Sequence, residues 1–124
     1  MPESTCSSKI CGWVDSLSNQ AFARFWAFFD ALRECGGESK VGGPLVTVHG
    51  DGLQSMWVDL GEKGPHGSVF HYVSGDQTIL LLDFQDHNEG ELPDTAIASA
   101  RAQMVWCKSH GNRADQIPHG LKPN

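Results

Sequence analysis

Positive charge is what this sequence has least of. Nine Lys and Arg face fifteen Asp and Glu, for a formal charge of −6 over 124 residues. A broad electrostatic grip on nucleic acid is thereby excluded, because phosphate binding draws on clustered Lys and Arg. Any RNA contact is expected to be local or shared with a larger particle. The chain also lacks an apolar run of the roughly 18 residues that a membrane-spanning helix needs. Where a signal peptide would place its apolar stretch stands the polar segment MPESTCSSK. The four cysteines, Cys6, Cys11, Cys35 and Cys107, include no CxxC pair, whereas zinc sites usually take two ligands from one short knuckle. No metal, no other cofactor and no membrane partner are therefore expected, and a soluble, reducing, cytoplasmic setting is the simplest reading.

What is present is enough apolar content, 40% of residues, for one modest core and hence one domain. Residues 1–9 read as a flexible leader, 10–110 as the domain, and 111–124, with little apolar content, as a flexible tail. A short helix is expected over Ile10 to Leu17. Ser18 and Asn19 offer N-cap chemistry for a longer one, in which Phe22, Phe25, Trp26, Phe29 and Leu32 recur at steps of three and four. Gly36 and Gly37 end it, since glycine takes the left-handed conformation at little cost.

Strand-length segments follow. Leu45, Val46 and Val48 lead into Gly50-Asp51-Gly52, a hairpin turn, and Leu53 to Leu60 returns from it. Ser68 to Val73 and Thr78 to Phe84 complete the set. The run Ile79 to Leu82 lacks alternation, so that strand is expected to be covered on both faces. Pro93 and Asp94 open a last helix whose apolar face is Ile97, Ala100, Met104 and Cys107. The expectation is an α+β fold: an antiparallel four-stranded meander with helices packed on one side, Phe25, Trp26 and Phe29 meeting Val46, Ile79 and Leu81. Asp83, Asp86, Glu89 and Glu91 read as a solvated acidic loop.

The order of these pieces resembles the RelE/ParE superfamily of small bacterial toxins, in its HigB or phage-derived Gp49-like branch. The resemblance covers about residues 13–108. It rests on WVDSL (Trp13 to Leu17), GGPLVTVHGDGL (Gly42 to Leu53), LLLDF (Leu80 to Phe84), and a loop, Pro93 and a helix containing Ile97, Ala100 and Arg101. It implies a RelE-like fold and a type II toxin that cleaves messenger RNA on the ribosome without a metal. A helix-turn-helix antitoxin would neutralise it. The sequence departs from the family at identifiable places. Ser55 and Trp57 hold the positions at which such toxins carry an acidic and then a basic residue, Ser68 stands where a basic residue opens the next strand, and QDHNEGE (Gln85 to Glu91) replaces a lysine-rich loop.

Attack of a ribose 2′-hydroxyl on its phosphate needs a base, an acid and positive charge near the phosphorane. His49, His66, His71 and His87 offer imidazoles that titrate near neutral pH. His87 matches the histidine that HigB-type toxins use after the last strand. With His71, Asp86 and Lys63, the last as phosphate stabiliser, it makes the expected catalytic set. Each histidine also has a plain structural reading: His66 and His87 as solvated loop side chains, His71 as a core histidine. Imidazole with Asp83 or Asp86 is good ligand chemistry for a metal, yet nothing in the spacing demands one. The alternative function, which needs no catalytic residues, is a ParE-like or phage-borne relative that inhibits or regulates a protein target by binding.

Overall fold

Ser18 starts the aromatic-rich helix: its hydroxyl accepts a hydrogen bond from the Ala21 amide at 3.2 Å, and α2 runs Asn19–Glu34. The chain leaves the helix through Gly36 (φ 64°) and Gly37 (φ 83°), whose amide returns to the Leu32 carbonyl at 2.9 Å. A Cβ on Gly37 would sit 2.5 Å from the Val73 side chain, so close approach as well as φ requires glycine there. Before α2 lies α1, Ser8–Asp15, capped by Ser7. The computed structural model describes residues 5–123.

Four strands, β1 Val46–Gly50, β2 Leu53–Asp59, β3 His66–Val73 and β4 Ile79–Asp86, form one antiparallel sheet in the order β1-β2-β3-β4. The final helix, α3, is Asp94–Ser109, and a short 3-10 helix covers Ala114–Gln116. The α+β meander expected from the sequence is the fold observed.

The helices, however, cover both faces of the sheet rather than one. Phe25, Phe29 and Leu32 of α2 and Ile10 and Val14 of α1 pack with Met56, Val58, Val69, Ile79 and Leu81. Trp26 and Val46 join the rim of this cluster, while Phe22 points outward at 40% exposure and Ala21 takes the buried place. On the opposite face Ala100, Met104 and Cys107 of α3 pack with Leu53, Phe70, Tyr72, Leu80 and Leu82. Two-sided cover is what the unbroken apolar run of β4 demands. Stripped of either layer, half of that run would face water.

The expected leader is anchored in its described part; residues 1–4 lie outside the described residues. Cys6 bridges to Leu81 in the parallel sense, and the Ser7 amide donates to the Leu81 carbonyl at 3.0 Å. The Ser7 hydroxyl donates to the Leu82 carbonyl at 2.6 Å and accepts from the Ile10 amide at 3.1 Å. Cys6 and Cys11 are joined by a disulfide across the start of α1. At the other end, Ala114 is fully buried and Ile117 packs at the rim of the α3-side cluster, so the expected tail is docked through its 3-10 helix. Asp83 is not part of a solvated loop. It is buried on β4 and accepts hydrogen bonds from Lys9 and Gln103, both at 3.0 Å.

Candidate functional site

The pairing of β2 with β3 sets Trp57 opposite Ser68 and Ser55 opposite Phe70. Because side chains alternate along a strand, Ser55, Trp57 and Ser68 share the face that α3 covers. α3 covers it only partly. Beside the helix an open groove of about 480 Å³ remains, with Ser55, Trp57 and Ser68 in its floor and His49, His87 and Glu89 around it.

A β-bulge aims His49. The β1–β2 register shifts between Val48 and Gly50, leaving His49 unpaired, and a bulge re-aims the side chain it carries. The imidazole Nε2 lies 2.7 Å from Ser55 Oγ. Arg101, projecting from α3, holds the backbone of this turn: its guanidinium donates to the carbonyls of His49 at 2.6 Å and Gly50 at 3.0 Å, and reaches the Asp51 carboxylate at 3.3 Å. Partial burial, aided by the Arg101 charge, lowers the His49 pKa from its usual value.

His87 enters from the far side. Its Nε2 lies 2.7 Å from Ser68 Oγ and its Nδ1 lies 2.6 Å from the Asn88 carbonyl oxygen. A carbonyl only accepts, so Nδ1 carries a proton, and Nε2 is left facing Ser68 at the groove. The Trp57 ring stands edge-on to the His87 ring at 5.3 Å and tilted to the His66 ring at 6.0 Å.

The expected catalytic set is only partly assembled. His87 lies in the groove. Asp86, exposed at the end of β4, and Lys63, exposed in the β2–β3 loop, do not line it. His71 is fully buried next to the register shift between β3 and β4. Its Nε2 sits 3.0 Å from the Gly37 carbonyl and 3.2 Å from Gln54 Oε1, pinning the end of α2 to the sheet. A side chain so enclosed does not meet a substrate, and the core reading of His71 is the one that holds. His49 joins His87 in its place. It stands two residues on from Thr47, which pairs with Ser55, and the register shift beside the GDG turn leaves it unpaired. Among the described residues no group of three His, Cys, Asp or Glu could hold a metal ion. No helix there is long and apolar enough to cross a membrane.

Burial lowers the His71 pKa below its usual 6.5, the Gly37 carbonyl opposing that only in part. The folded pKa is therefore below the unfolded one, and near and below pH 6.5 the unfolded chain binds the extra proton. Stability from this source is complete above the unfolded pKa and declines as pH falls below it, by at most about 1.4 kcal/mol per pH unit for one group. Urea unfolding should thus show a midpoint that drops from about pH 7.5 to about pH 5.5, and the drop should be smaller in His71→Gln. An equal drop in both proteins would mean that His71 is not the titrating group.

Compared with protein-family models, curated proteins and solved structures, the chain matches none.

Proposed function

We propose that this protein is a toxin of the RelE/HigB kind that cleaves messenger RNA on the ribosome, with the groove as its active site and His87 as a proton-transfer residue. One observation supports this reading above the others. The resemblance sets Ser55, Trp57 and Ser68 where family toxins carry charged residues and His87 where HigB-type toxins carry a catalytic histidine, and these positions, on two strands and a loop, line one groove.

In this reading Trp57 offers an aromatic surface on which an unpaired base can stack, and the ribosome supplies the phosphate grip that a chain of net charge −6 lacks. A helix-turn-helix antitoxin would cover the groove between periods of activity. Work on the ribosome places the protein in the cytoplasm, where the Cys6–Cys11 bond would be open to reduction. The hydrogen bonds of Ser7 to β4 hold the start of α1 without it.

A second reading, inhibition of a protein target by binding, is favoured by one feature: the groove is lined by no Lys or Arg, and Glu89 stands at its edge. Induced expression separates the two. Growth arrest accompanied by new, discrete messenger 5′ ends is the expected result. Arrest with messengers intact would select the binding reading and discard the nuclease.

A further inference from the structure

We propose that His49 is the second proton-transfer residue of this groove, acting with His87 as the base and acid of a two-imidazole site for a single-stranded RNA phosphodiester. The inference rests on the RNA-cleaving reading above and assigns that site a residue and a division of labour.

The arrangement comes from the sheet. Ser55 on β2 and Ser68 on β3 are diagonal neighbours on one face, because each is offset by one alternate residue from the Ser55–Phe70 and Trp57–Ser68 pairs. Diagonal neighbours stand roughly 7–8 Å apart. Each serine holds one imidazole at 2.7 Å, His49 arriving from β1 and His87 from beyond β4. In the order β1-β2-β3-β4 the two rings therefore flank the serine pair from opposite sides. An attacking and a leaving oxygen of one phosphodiester need proton acceptor and donor on opposite sides, and the two rings stand in that relation to the serine pair. Trp57, beside both serines, would hold the neighbouring base.

The charge balance points the same way. No Lys or Arg lines the groove, and Arg101 is committed to the β1–β2 turn. Positive charge at the phosphorane then has to come from an imidazolium. The groups around His49 are Ser55, the Phe70 ring at 5.7 Å, the buried His71 and the Arg101 guanidinium, whose charge the nearby Asp51 carboxylate pairs with at 3.3 Å. Burial and Arg101 leave His49 the neutral member.

In the step so assigned, the 2′-oxygen bonds to phosphorus while its proton passes to the His49 imidazole. The bond from phosphorus to the 5′-oxygen breaks, and that oxygen takes the proton from the His87 imidazolium. A 2′,3′-cyclic phosphate and a 5′-hydroxyl end result, and both rings return to their starting states by proton exchange with water. No oxidant, metal or further reactant enters.

The test is single-turnover cleavage of a defined messenger on programmed ribosomes by the full-length protein, followed across the range from about pH 5 to about pH 8 in which histidine titrates. His49→Gln keeps a hydrogen-bonding side chain and removes the titrating ring. It is expected to lower the rate by about 100- to 10,000-fold and to abolish the fall in rate on the acid side. Its unfolding midpoint should stay near that of the wild type. Ser55→Ala, which leaves the ring in place and removes its partner, is expected to shift that acid limb; it serves as the second variant should His49→Gln unfold. Cleavage by His49→Gln at the wild-type rate, with the acid limb intact, would overturn the role of His49 while leaving the nuclease reading in place. No cleavage by the wild type at any pH would remove both.

Discussion

Phe25→Ala should remove a large part of this protein's stability. Phe25 is fully buried at the centre of the α2 face, edge-on to Trp13 with ring centroids 5.7 Å apart and stacked with Phe29 at 6.3 Å. Truncating such a ring leaves a cavity that rigid neighbours fill poorly, and the cost is about 3–5 kcal/mol. A domain of this size has only about 5–15 kcal/mol in hand. Trp26, one residue on, is only partly buried at the rim of the same cluster, and its truncation should cost less. Chemical denaturation of both variants checks this. An unchanged midpoint for Phe25→Ala would mean that α2 does not close that face of the sheet.

The other large effect is chemical. His87→Ala is expected to reduce messenger cleavage by about 100- to 10,000-fold, the usual loss when a general acid or base is removed. Its ring is half-buried, hydrogen-bonded to Ser68 and to the Asn88 carbonyl of its own loop with Trp57 edge-on beside it, so the unfolding midpoint should move little. His71→Ala should behave in the opposite sense, because that ring ties Gly37 to Gln54 inside the protein and its loss leaves buried partners unsatisfied. Purified protein acting on ribosome-bound messenger distinguishes these outcomes. Equal cleavage by wild type and His87→Ala would exclude His87 from the chemistry.

Local pattern accounts for what could be read in advance. Alternation, the GDG turn and Ser18 as cap place the strands and α2 close to where they stand, since those signals act within a few residues. The unbroken run of β4 announced two-sided burial. The inward faces of α2 and α3 were legible from their three-and-four spacing, apart from Phe22, which an equally spaced Ala21 displaces. Long-range pairing was not legible. Ser7 reaches β4 across most of the chain, and Asp83 is buried because Gln103 and Lys9 converge on it. No local period encodes such partners. His87 was readable through resemblance, whereas the strand pairing that brings His49 to Ser55 and Ser55 to Ser68 exists only in the folded sheet.

That the groove cleaves RNA by transfer of a 2′-hydroxyl proton can be tested on the ends of the products. Messenger bound to ribosomes and treated with the purified full-length protein should yield fragments ending in 2′,3′-cyclic phosphate, paired with 5′-hydroxyl ends, and neither should form with His87→Ala. Intact messenger after treatment with the wild type, or fragments that His87→Ala produces equally well, would contradict the account.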